Sequence, residues 1–167
     1  MPSRQKLSIA SFVILFVSLG AAATSLGLIQ GTNCPQWSCD DEYENISIWQ
    51  LSIASSIIAT ICLGLLTVIE LISVLYQTNV KTLCAKILYS GLFSVSIFFL
   101  IIATASASYN VGYYGYGYNY DYGVELIAAA VCASVGALLT IIAFCIFNVK
   151  QTKSSDEYQN IIQRTEH

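Results

Sequence analysis

The chain has 167 residues, 56% of them hydrophobic and 10% charged, with a formal net charge of −3. Roughly a quarter of an ordinary soluble domain is charged, so this balance excludes that class and points to a membrane protein. A net acidic chain of this kind also gives no reason to expect nucleic acid as a partner.

Four apolar runs follow one another along the chain: residues 7–29, 48–76, 83–108 and 124–149. Each exceeds the ~20 residues that a helix needs to cross a hydrocarbon core of ~30 Å. The predicted fold class is an all-α integral membrane protein, an antiparallel four-helix transmembrane bundle over residues 1–150, followed by a flexible cytoplasmic tail over 151–167. The seven basic residues fix the orientation. Arg4 and Lys6 precede the first run, Lys81 and Lys86 sit around the link between the second and third, and Lys150, Lys153 and Arg164 follow the core of the fourth. Basic residues flanking spans stay on the cytoplasmic side, so both termini are expected there, in a multi-pass protein of the plasma membrane or a vesicle membrane.

The first run is preceded by basic residues and contains Ala21-Ala22-Ala23, a pattern shared with cleaved secretory signals. It continues to Ile29, well beyond the 7–15 apolar residues of such signals, and is therefore read as a span. Small residues at helical spacing suggest its packing face: Gly20, Ala23, Thr24 and Gly27.

The first outer connection, QGTNCPQWSCDDEYENIS, carries no basic residue. Cys34 and Cys39 enclose Pro35-Gln36-Trp37-Ser38 and face the oxidising side, which predicts a local disulfide. Trp37 then serves as an interfacial anchor, as Trp49 does, or as a partner contact. Asn45-Ile46-Ser47 fits the glycosylation acceptor pattern, although it abuts the second run, which restricts access to it.

The second run carries Ser52, Ser56, Thr60 and Gly64 at four-residue spacing, a candidate packing stripe. It also holds Glu70, the acid placed well inside a span. Burying a carboxylate in hydrocarbon costs at least ~2.5 kcal/mol, so Glu70 is a functional candidate by default. Three roles are open to it: a structural or interfacial one, reaching headgroup water or pairing with Lys81 or Lys86; an ion or proton role; or a helix-to-helix hydrogen bond. No second acid, histidine or interrupted helix accompanies it to build a transport pathway.

The link to the third run contains Cys84, and Cys145 lies near the cytoplasmic end of the fourth; both are placed for reversible acylation. Cys62 and Cys132 read as small packing residues. The third run supplies the bulky Phe93, Phe98, Phe99 and Leu100. The stretch after it, YNVGYYGYGYNYDYG at 109–123, places tyrosine at every second position from Tyr114 to Tyr122. That period suits a strand, but its glycines weaken one. The expected state is a loop folded onto headgroups or the first connection, with an adhesive surface as the alternative. The fourth run carries two small stripes, Ala129, Ala133, Ala137 and Ala128, Cys132, Gly136, Thr140. In the tail, Tyr158-Gln159-Asn160-Ile161 has the form of a tyrosine-based sorting signal, with Tyr158 and Ile161 as its two anchors. Asp156 and Glu157 also make Tyr158 a phosphorylation candidate, so the partners expected are a clathrin adaptor or a phosphotyrosine reader.

The spacing of the four runs, the basic link QTNVKTLCAK and the last run VELIAAAVCASVGALLTIIAFCIFNVK together resemble MARVEL-type four-transmembrane proteins over about residues 4–150. The resemblance implies membrane apposition, vesicle trafficking and lipid-domain organisation. Claudin-type proteins are matched only at Trp37-Ser38-Cys39, in a connection too short for their extracellular sheet, and the Cys-Cys-Gly loop of tetraspanins is absent.

Two functions follow. The first is a non-enzymatic organiser of membrane domains, trafficking or cell contacts, whose partners are the lipid bilayer, other membrane proteins or further copies of the chain. The alternative is a channel or an auxiliary subunit of one. No cofactor or metal is expected and an enzyme is disfavoured: the single histidine is His167, and no nucleophile–base pair or phosphate-binding glycine loop occurs.

Overall fold

The computed structural model describes residues 3–31, 43–76, 83–114 and 120–165, which form four helices: α1 Ser3–Gly31, α2 Tyr43–Tyr76, α3 Leu83–Tyr114 and α4 Tyr120–Thr165. Each contains a segment long and apolar enough to cross a membrane, at Lys6–Gln30, Gln50–Leu75, Lys86–Tyr109 and Val124–Thr152. The helices pack as a ring in chain order, α1 on α2, α2 on α3, α3 on α4, closed by α4 against α1.

Helix ends run further than the apolar runs predict. α2 begins at Tyr43, so Asn45, Ile46 and Ser47 lie within its first turns and not in a connection. α3 continues to Tyr114 and α4 starts at Tyr120, so the tyrosine-rich stretch is helical at 109–114 and 120–123, and 115–119 lie outside the described residues. The loop expected over 109–123 is thereby replaced by helix as far as Tyr114 and again from Tyr120. The expected tail at 151–167 is likewise helical as far as Thr165. No glycine or proline follows Gly136, and extending an existing helix gains a hydrogen bond for each residue fixed.

On each helix a series of buried positions alternates three and four residues apart, with Ser55, Thr67, Ser106 and Ala137 buried beside it. On α1 they are Ser11, Leu15, Ser18, Ala22, Ser25 and Ile29; on α2, Ser52, Ser56, Ala59, Leu63, Leu66 and Glu70. α3 buries Tyr89, Phe93, Ser96, Leu100, Ala103 and Ala107, and α4 buries Ala129, Ala133, Gly136, Thr140, Ala143 and Phe147. Steps of three and four in alternation repeat every seven residues, the heptad of a coiled coil, which implies left-handed packing at a shallow crossing angle.

This period corrects the four-residue stripes. A residue every fourth position drifts ~40° around a helix per step, so on α2 Ser52 and Ser56 are buried while Thr60 and Gly64 are only half-buried. On α1 the expected small face, Gly20, Ala23, Thr24 and Gly27, is exposed, and Ser11, Ser18 and Ser25, seven residues apart, take the interior. Hydroxyls can bond across to the next helix, which glycine side chains cannot. On α4, Ala129, Ala133 and Ala137 are buried as the stripe predicts.

Size varies along the bundle. Leu15, Leu63, Leu66, Phe93, Leu100 and Phe147 fill the half that holds the start of α1. Beyond Leu100 comes a layer of alanine and serine, including Ala22, Ser25, Ser52, Ser56, Ala103 and Ala133, and past it the large Ile29 and Leu126 are buried again. Exposed large residues such as Phe16, Ile61, Leu88 and Leu138 cover the outside.

Candidate functional site

The polar core has two parts, on different helices. The first lies between α1 and α4. Ser25 Oγ donates to the Ala129 carbonyl at 2.9 Å, and Ser18 Oγ lies 2.8 Å from both the Gly136 carbonyl and Thr140 Oγ1. Thr140 Oγ1 is itself 2.7 Å from the Gly136 carbonyl. Ser18 and Thr140 can each donate to the Gly136 carbonyl, or one hydroxyl can donate to the other; two protons satisfy two of the three contacts at a time. Gly136 lies against α1: a Cβ there would meet the Ser18 carbonyl at 3.5 Å and Ala21 Cβ at 3.8 Å, ordinary contact distances that leave room for a methyl group and no more.

The second part is built on Glu70, which is 3% exposed. Its Oε2 accepts from the Tyr89 hydroxyl at 2.7 Å and its Oε1 from Lys150 Nζ at 3.3 Å. Lys150 Nζ also approaches Ser73 Oγ at 3.4 Å. Glu70 comes from α2, Tyr89 from α3 and Lys150 from α4, so one carboxylate clasps three helices. The Tyr89 ring stacks on Phe147 with centroids 4.5 Å apart and meets Phe93 edge-on at 5.3 Å. The rings hold the hydroxyl in place and keep the ion pair away from lipid. The long Lys150 stem lets its ammonium reach inward from near the end of the α4 span.

The clasp corrects the expected partners of Glu70. Lys150 pairs with it, and among the described residues Lys86 does not. On α3 the position that reaches Glu70 is taken by Tyr89, and Lys81 lies outside the described residues. Sequence reasoning missed Tyr89, Ser73 and Lys150. All three lie on the seven-residue pattern of core positions, Lys150 seven residues after Ala143, and that pattern was the signal available to find them.

The other sequence candidates do not converge on this site. Cys34 and Cys39, the expected disulfide, lie outside the described residues. Asn45 lies in the first turn of α2, Cys84 in the first turn of α3, and Tyr158 and Ile161 in the extension of α4. Cys145 is an exposed free thiol on α4, while Cys62 and Cys132 are half-buried free thiols. Among the described residues, no group of three or more His, Cys, Asp or Glu side chains is placed to hold a metal ion.

Tyr89→Phe keeps the ring stack and removes one bond to a charged acceptor, a loss of about 1.5–3 kcal/mol. Reversible unfolding in mixed micelles should show that drop; an unchanged midpoint would mean that Lys150 alone satisfies the carboxylate. No family model, curated protein or solved structure matches this chain.

Proposed function

We propose that the chain is a multi-pass membrane protein whose helices cross the bilayer antiparallel, with both termini in the cytoplasm, and that it works as a non-enzymatic organiser of membrane domains, vesicle trafficking or cell-contact assemblies. Four suitable spans support the crossings. The order of contacts supports the antiparallel course: Ser18 meets Gly136 while Ser25 meets Ala129, and Phe93 meets Phe144 while Tyr89 meets Phe147.

One observation carries the functional reading. Glu70, the acid that an ion pathway would use, is occupied by Tyr89 and Lys150 inside the bundle. An ion pair bonded in this way serves cohesion, because freeing the carboxylate for a passing ion would strand the lysine. Leucine and phenylalanine fill the adjoining core, so a conducting path would have to form between copies or with a partner. The organiser instead acts through its outer faces and connections, with acylation at Cys84 or Cys145 and the Tyr158 to Ile161 segment as points of control.

Reconstitution in planar bilayers and crosslinking in native membranes test this together. The protein should pass no current, and its crosslinked neighbours should be other membrane proteins or further copies of itself. A current whose ion selectivity changes in Glu70→Gln would establish the channel reading instead.

A further inference from the structure

Among the described residues, three buried hydroxyls, those of Ser11, Ser52 and Ser56, have no hydrogen-bond partner. All three lie on the neighbouring helices α1 and α2. Ser52 and Ser56 are 0% and 2% exposed and sit one turn apart on the core face of α2, a spacing that places their Cβ atoms about 6 Å apart. A serine or threonine inside a membrane helix commonly closes its hydroxyl onto the carbonyl four residues back, as Thr60 does onto Ser56 and Thr67 onto Leu63. For Ser56 that acceptor is the Ser52 carbonyl, which already receives Ser55 Oγ at 3.0 Å.

A third hydroxyl comes to the same level on α1. Tyr89 touches both Glu70 and Phe147. Eighteen residues back from Glu70 along α2 is Ser52, and eighteen back from Phe147 along α4 is Ala129, the residue whose carbonyl accepts from Ser25. Having given its proton to Ala129, Ser25 Oγ keeps lone pairs to accept with. The core positions around this level are small, with Ala22, Ala103, Ala107 and Ala133 all buried.

We propose that the α1–α2 seam holds a structural water molecule, bound by the hydroxyls of Ser52 and Ser56 and donating to Ser25. A buried water requires two to four polar partners, and these three side chains supply them. Two bonds of about 2.8 Å meeting near the tetrahedral angle at one water span about 4.6 Å, a separation that two hydroxyls one helical turn apart can adopt.

Thermal unfolding of the full chain in detergent micelles, for the unsubstituted protein, Ser52→Ala, Ser56→Ala and the double variant, tests the site. Each single variant should lower the melting temperature by roughly 2–4 °C. The double variant should lower it by less than the sum, because either loss releases the same water. Midpoints that rise, or losses that add, mean that the hydroxyls share no ligand and overturn the proposal. A structure of the unsubstituted protein that resolves ordered solvent gives a second readout should the variants fail to fold. An oxygen within about 3 Å of both hydroxyls is expected; a Ser56 hydroxyl closed onto the Ser52 carbonyl, with no such oxygen, overturns the site.

Discussion

Lys150→Met is expected to destabilise the bundle by about 3–5 kcal/mol, the range for removing one member of a buried ion pair. Glu70 would keep only the Tyr89 hydroxyl, leaving a carboxylate that is 3% exposed without its counter-charge. The cost comes from the stranded charge more than from the lost attraction, so removing both charges should restore much of the stability. Glu70→Leu combined with Lys150→Met is predicted to lie within about 1–2 kcal/mol of the unsubstituted protein, since apolar replacement of a buried pair is often neutral or stabilising. Glu70→Gln with Lys150 intact should fall between these limits, because an amide still accepts from Tyr89 but leaves the ammonium unpaired. Denaturant titration in mixed micelles separates the cases. A double variant as unstable as Lys150→Met alone would mean that the charges do not interact.

Gly136→Leu is expected to produce the second large loss, by separating α1 from α4. Alanine fits, since a Cβ at this site meets nothing closer than 3.5 Å, and it gains about 0.5–1 kcal/mol of helix propensity. A leucine side chain must continue past that Cβ into Ser18, Ala21 and Leu100, all within 4 Å of it. Overpacking of this kind costs about 1–3 kcal/mol. The Ser18 bonds to Gly136 and Thr140 are lost as well, each worth about 0.6 kcal/mol between membrane helices. The same micelle assay should therefore rank Gly136→Ala at or above the unsubstituted protein and Gly136→Leu well below it. Equal stability for the two variants would place α1 away from Gly136.

The four helices were legible in the sequence because apolar length alone marks them, whereas their interior faces were not. On α4 one of the two stripes of small residues at four-residue spacing, Ala129, Ala133 and Ala137, is the buried side while Ala128 and Cys132 of the other are half-buried, and on α1 the same criterion selected Gly20, Ala23, Thr24 and Gly27, which are exposed. The deciding residues are Ser18 and Ser25, whose value lies in carbonyls of a helix more than 100 positions away. Glu70 stood out by its charge, but its partners did not, because Lys150 is 80 residues distant and looks like a boundary cation. Tyr89 reads as one more aromatic residue until the period of 3.5 sets it on the same buried track as Phe93.

A membrane-impermeant amine reagent applied to cells bearing the protein tests the four crossings, with every basic cluster on one side, most directly. Lys81 and Lys86 should be modified only after permeabilisation, together with Lys6 and Lys153. Modification of Lys81 in intact cells, while Lys6 stays protected, would contradict the four-crossing arrangement.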